Sequence, residues 1–588
     1  MTSTFVAFCF MSAISATLTP IPIDAELNAW NRYPEGQTVE VVEVDGVPEI
    51  RIASAEPEPV AYRQVIHFLE AAPGDHLHAS VEAMAIEIRE GMGVFMSISF
   101  MDSEGQRIAH ADDYLQTGGR AVWTPLRVRG EAPEGTAEAR LLLVIHGYGE
   151  GRFRNAASGR VAAEEPAPID ELVVLTAMDE ITVPSLIGFG AEDDGWFYND
   201  ENRRRGADDE AIAIREGRIE WMQPDYVRMF FWYNDWNPTV DGETFTWDSE
   251  NMQSKYRTLD LYQRVGAQVN VTGVEWDVDN VWTDLEAQAR SIGALLEHLI
   301  VEKGYSCVQQ WTLTNEPNIA FHEPFETYVE MHRLVAREIE TRGLDVQIVG
   351  SDDTSGLSWF RQCVEDDDYF ELTDVFASHF YFEEHRMPFV RDIFRDRIDL
   401  LESRTPVKPF VVAEFGLVDD RIGHPVANPY MEDYANALWN HATYIDALNS
   451  GVAGIAIWCI HEMYYPGMQT PMQFGLWNFG DRDWTVRPVY HSVAAFTRNT
   501  QHGDTAYKVT SSHDHAVRAA RVEDTVFWAN VSDESVDVVI DGFEAAQVRI
   551  MTEDTLEGDR ETGVLLDDLN GSEFTVPPKS FGYATATP

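Results

Sequence analysis

Lysine is nearly missing from this 588-residue chain, which has only five. All basic residues together number 43 against 99 acidic ones, a formal net charge of −56. So acidic a surface repels nucleic acid and anionic membranes, and neither is an expected partner. It stays soluble where salt screens its self-repulsion, so a halophilic or marine habitat is the expectation. Cysteine is also scarce. Cys9, Cys307, Cys363 and Cys459 lie far apart and form no CxxC or Cys/His spacing, which leaves neither a disulfide framework nor a zinc pattern. Buried free thiols are expected instead. No run of about 18 apolar residues occurs, so no membrane span is expected. The apolar stretch Phe5–Ile14 leads into the small residues Ser12–Ala16, but no Lys or Arg precedes it. Residues 1–23 are therefore a candidate signal peptide, implying a secreted or periplasmic protein, with a cytoplasmic one as the alternative.

An apolar content of 44% with 11% aromatics excludes a disordered chain, and the length calls for about three to four domains. Residues 24–178 carry short alternating stretches, such as Val94–Phe100, between Gly, Pro and Asp turns, which is an all-β texture. Leu172–Leu175 is expected to complete that sandwich. The layout DSEGQRI … GGRAVWTPLRV … APEGTAEARLLLVIHGYGEGRF resembles the jelly-roll carbohydrate-binding modules appended to glycosidases. The resemblance implies a β-sandwich, with Trp30 and Trp123 as either sugar platforms or core.

From 183 to 495 the texture changes, as apolar runs alternate with amphipathic helical patterns. Strands are expected at Leu186–Phe189, Tyr226–Phe231, Gln268–Thr272, Gln309–Thr314, Val346–Val349, Val375–Phe380, Phe410–Ala413 and Gly454–Trp458. Helices such as Phe325–Arg342 and Met431–Asn449 are expected between them. Eight such strands predict an α/β fold, a (β/α)8 TIM barrel. Residues 496–588 return to β texture and predict a small C-terminal sandwich, its last strand spanning Phe574–Ala584.

A barrel of this kind keeps its chemistry at the C-terminal strand ends. The fourth run ends in Asn315-Glu316-Pro317 and the seventh in Glu414-Phe415-Gly416, so two carboxylates follow buried apolar strands. Hydrolysis of an acetal needs such a pair, one protonated and one ionised. These two motifs at these strand ends resemble the clan A retaining glycoside hydrolases, with families 5 and 39 the nearest-looking. The resemblance implies Glu316 as general acid/base and Glu414 as nucleophile. It implies Asn315 on a sugar hydroxyl, Arg228 and Tyr381 on the nucleophile, His379 beside them, and Trp458 as an aromatic floor. It also implies that no metal or organic cofactor is needed.

Thirteen of the sixteen tryptophans fall between residues 188 and 490. Trp196, Trp232, Trp236, Trp276, Trp282 and Trp477 sit in or near strand-end loops and divide between cleft and core. Trp232 and Trp276 are the candidates taken for substrate contact. Glu275 and Asp277 remain open between substrate binding and pairing with an arginine, and Glu383, Glu384 and Glu462 are rival carboxylates. Arg203-Arg204-Arg205 either binds an anionic sugar or pairs with Asp193, Asp194 and Asp208. The expected partner is a polysaccharide or oligosaccharide, and nothing in the sequence bears on oligomeric state. A transglycosylase with the same residues, or a non-catalytic carbohydrate-binding barrel, are the alternatives to hydrolysis.

Overall fold

The computed structural model describes residues 17–586 except 35–37, 56–59, 116–120, 164–167, 170–171, 276–277, 279–280, 322, 355, 424–425 and 568–571. The candidate signal peptide is thus largely outside the described residues, as are Cys9, Trp276 and Asp277. The chain forms two compact units, residues 1–165 with 356–358, and 166–355 with 359–588.

The smaller unit is all β. Two long strands, His76–Met101 and Glu138–Val161, pair with each other along most of their length. Arg107–Leu115 and Thr124–Glu131 join the first of them; Tyr62–Leu69 and Val47–Ser54 join the second. Alternating side chains face a core of Ile50, Ile52, Val65, Ile98, Leu126, Leu143 and Phe153. Both long strands bend midway, where Glu87, Glu90, Gly147 and Gly149 take positive φ. A Cβ on Gly147 would lie 2.2 Å from the Glu90 carbonyl oxygen, so only glycine fits that bend. Trp30 is 4% exposed, packs against His67 and donates its Nε1–H to the Pro22 carbonyl, which is a core role. The half-buried Trp123 carries the Arg154 guanidinium 4.0 Å over its ring.

The larger unit contains a closed barrel of eight parallel strands. These are Gly188–Glu192, Tyr226–Trp232, Gln268–Val274, Val308–Thr312, Gln347–Thr354, Val375–Phe382, Phe410–Leu417 and Gly454–Ile457. The first pairs with the eighth, Phe189 opposite Ile455, which closes the sheet. Seven of the eight strands bury almost every residue, on the inside against the barrel core and on the outside against helices. The helix Phe325–Arg342 ends on Gly343 in the left-handed region, as its sequence predicts. The expected helix at Met431–Asn449 begins later, at Tyr434, because Pro429–Glu432 forms a separate 3-10 turn. Cys307, Cys363 and Cys459 are buried free thiols.

Two expectations about the β strands fail. Val173–Val183, which contains the stretch expected to finish the first sandwich, pairs with Ala506–Ser511 and Val536–Asp541 of the C-terminal sheet. Val173 and Leu175 pack there against Val509, Val538 and Trp528. A two-residue period states that one face is buried but not which sheet buries it. The expected last strand, Phe574–Ala584, is likewise two, Glu573–Val576 and Ser580–Thr585, separated by a turn at Pro577-Pro578-Lys579.

At the base of the second barrel strand, Asp225 has a buried oxygen, Oδ2, with no donor among the described residues. Burial, then the neighbouring charge of Asp504, pushes its pKa from the ordinary 3.8 up to about 7. Between those two values the folded chain holds a proton that the unfolded chain has released. Stability therefore falls as pH rises through that window and stays reduced above it. Asp225→Asn should raise unfolding free energy by about 2 kcal/mol on the alkaline side of neutrality and bring no gain in acid. Urea unfolding at the two pH values checks this, and a loss on the alkaline side would contradict it.

Candidate active site

The C-terminal ends of the strands bring together nearly all the residues expected there. Glu414 lies in the seventh strand, which buries all eight of its residues. Strands six and seven slip register so that His379 stands opposite Glu414, with Ala413 as the extra residue. Tyr381, two residues along from His379 and hence on the same face, donates its hydroxyl to Glu414 Oε1 at 2.6 Å. Arg228, fully buried in the second strand, donates to Glu414 Oε2 at 3.2 Å. Its other terminal nitrogen bonds Asn315 Oδ1 and Asp352 Oδ2, both at 2.7 Å.

Glu316 differs from Glu414 in setting. It has left-handed backbone (φ 48°) and stands just before the short helix Pro317–Ala320. Such a conformation costs a non-glycine residue energy and recurs where a side chain must be aimed. Its side chain is 16% exposed against 8% for Glu414. His379 Nδ1 lies 3.2 Å from Glu316 Oε1, and Nε2 lies 3.0 Å from Asp352 Oδ1. With the carboxyl groups of Glu316 and Asp352 at its two nitrogens, the ring is placed to hold a second proton. Burial opposes that charge, but Asp352 and Glu414 outweigh it and hold the pKa up at about 10.

Asp352 was not foreseen. The fifth strand is irregular where Ser351 and Asp352 both take positive φ, and the irregularity turns the carboxylate inward onto Arg228 and His379. Burial would raise its pKa, but those two cations hold it below the usual value. Glu192 at the end of the first strand was also missed; it accepts from Arg228 at 2.7 Å. Both acids follow apolar runs, but each adjoins another acid, and the run does not tell which one turns onto Arg228.

Burial is the largest influence on Glu414 and raises its pKa, with Glu316 adding and His379 and Arg228 opposing. Its hydrogen-bonding neighbours nevertheless all donate to it, which is a setting for the ionised form. Glu316, His379 and Glu414 each present a side-chain N or O atom, and these atoms lie within 4.8 Å of one another. A metal ion there would have to displace the His379 proton, which already supplies the positive charge.

Trp458, 8% exposed, follows the eighth strand and packs against Phe230 and Tyr465. Trp232 ends the second strand, half-buried and edge-on to Trp196. Trp196, Trp236 and Trp477 are core, and Trp282 packs on Phe321. Glu275 accepts from the Thr314 hydroxyl at 2.5 Å. Glu462 is fully buried and bound by Arg487 at 2.6 Å and the Phe479 N–H, so it holds a loop in place. Glu383 pairs with His385, and Glu384 is exposed. The arginine cluster is paired, though not with the expected acids. Arg203 meets Asp209; Arg204 and Arg205 share Glu201; Arg205 also covers Tyr464. Asp193 is taken by Arg215 and Tyr262, Asp194 by Tyr465, and Asp208 caps a helix.

The closed barrel of eight parallel strands is a fold found among glycoside hydrolases. The sequence matches no family model and no curated protein. Among solved structures, the chain is similar to a family 30 endoxylanase from Clostridium papyrosolvens at 12% identity and a TM-score of 0.52, over 70% of this chain and 99% of that one. A family 39 β-xylosidase from Caulobacter crescentus gives 14% identity and 0.51, over 71% and 100%. A family 30 subfamily 8 xylanase from Clostridium acetobutylicum gives 12% and 0.51, over 71% and 100%. At these identities the likeness is one of fold. Among the described residues no helix is long and apolar enough to cross a membrane.

Proposed function

We propose that the chain is a retaining glycoside hydrolase acting on a poly- or oligosaccharide. The observation that carries this is the pair Glu316 and Glu414, with a carboxyl oxygen of each within 4.8 Å of the other, one just past the fourth strand and one in the seventh. Retaining enzymes hold the two carboxyl groups about 5–5.5 Å apart, whereas inverting ones leave roughly 6.5–9.5 Å for a water. Glu414 attacks the anomeric carbon as Glu316 gives its proton to the departing oxygen, leaving a covalent glycosyl-enzyme. Glu316, now a carboxylate, takes a proton from water; the water attacks the anomeric carbon, and Glu414 departs. The two steps invert twice and retain the configuration. Asn315, Trp232 and Trp458 are proposed to contact the sugar, and Arg228, His379 and Tyr381 to hold the carboxylates.

Xylans and xylo-oligosaccharides are the first substrates to try, since the neighbours above are named for them, followed by marine and plant polysaccharides at high salt. Proton NMR of the first product released is expected to give the anomer of the substrate. The opposite anomer would overturn the retaining mechanism.

A further inference from the structure

Glu192 closes the first barrel strand with no exposed surface. Its Oε2 accepts from Arg228 Nη1, the same nitrogen that reaches Glu414 Oε2. Its Oε1 has no donor among the described residues. What its side chain does face, at hydrogen-bonding range, is the side chain of Asp194. Of these two buried acids, Asp194 is the one equipped to be an anion. Tyr465 donates its hydroxyl to Oδ2 and the Phe230 N–H donates to Oδ1 at 3.3 Å. The Lys255 ammonium stands close by, bonded to the Asp194 and Phe230 carbonyls at 3.0 and 2.6 Å.

Two adjoining carboxylates away from water cannot both stay ionised at modest cost, and the oxygen without a donor is the natural seat of the proton. We propose that Glu192 is a neutral positioning residue: a carboxylic acid that donates to Asp194 and offers Arg228 only an uncharged oxygen. The guanidinium then keeps its charge for Glu414 and Asp352. Were Glu192 ionised, it would compete with Glu414 for the nitrogen they share and draw the arginine off the nucleophile. This rests on the reading of Glu414 as nucleophile.

Burial pushes the Glu192 carboxyl well above the carboxylate range; Arg228 pulls against it, and Asp194 and Glu414 push further. Burial raises the Asp194 carboxyl too, but Glu192, Tyr465 and Lys255 all pull it down, against Asp193. The groups facing the pair are Arg228 from the second strand, Glu414 from the seventh and Lys255 from its helix. Tyr226 and Tyr381 face Glu192 from the second and sixth strands, Asp193, the Cys459 thiol and Tyr465 stand in the loops after the first and eighth, and Lys255 is also paired with Asp235 at 3.2 Å.

An infrared difference spectrum between wild type and Glu192→Gln at neutral pH reads the proton without any activity. The expected result is loss of a carboxylic acid carbonyl band; loss of carboxylate bands alone would overturn the proposal. If Glu192→Gln fails to fold, Asp194→Asn takes its place. The acid band must then shift as its acceptor changes from carboxylate to amide, and no shifted acid band overturns the proposal. In kinetics, Glu192→Leu should lower kcat/KM and Glu192→Gln, which keeps a donor toward Asp194 and an acceptor toward Arg228, should recover about tenfold, the usual scale for groups that orient a reacting residue. Equal impairment of the two variants contradicts a neutral Glu192. A wild type with no glycosidase activity would count against the proposed function alone, and the infrared band would still decide the protonation.

Discussion

Glu414→Gln should lower kcat by about ten-thousandfold or more on any glycoside the wild type cleaves, because the amide cannot form the glycosyl ester. That loss corresponds to about 5.5 kcal/mol of barrier. The fold should tolerate the change. The amide keeps an oxygen for the Tyr381 hydroxyl, and Arg228 retains Glu192, Asp352 and Asn315 as partners. A thermal melt close to wild type separates lost chemistry from lost structure. Full activity in this variant would remove Glu414 from the mechanism.

Glu316→Ala should cost less and should depend on the substrate. A general acid contributes about 10²–10⁴-fold when the leaving oxygen needs a proton. A natural sugar leaving group should feel all of that loss. An activated aryl glycoside, whose leaving group departs as a stable anion, should lose far less in its first step. The comparison of kcat/KM on the two substrates checks it. An equal loss on both would point to a positioning role for Glu316 instead.

The barrel was legible because each strand is an apolar run followed by a helical period, and Glu316 and Glu414 were legible because each terminates such a run. The partners Arg228, His379 and Tyr381 were legible only through the resemblance, which expects such residues on the second and sixth strands. Asp352 was not, since its inward aim depends on consecutive left-handed residues within an irregular strand, and nothing in the pair Asp352-Asp353 tells which acid turns onto Arg228. Glu192 was hidden in the same way by Asp193 and Asp194, which follow it and serve different networks. The arginine cluster went to Glu201, one helical turn before Arg204 and Arg205, and to Asp209 at the start of the next helix, while Asp193 and Asp194 are buried in networks of their own. Aromatic residues were the least readable. Trp196, Trp236 and Trp477 share composition and loop position with Trp232, and only packing separates buried from half-buried.

Trapping the covalent intermediate is the most direct measurement. A 2-deoxy-2-fluoro glycoside with a good leaving group slows both steps, the second more, so that the glycosyl-enzyme accumulates. Mass spectrometry of the digested protein is expected to find one sugar on the peptide containing Glu414, and none in Glu414→Gln. A label on another carboxylate, or turnover of the parent glycoside with inverted product and no label, would contradict the account.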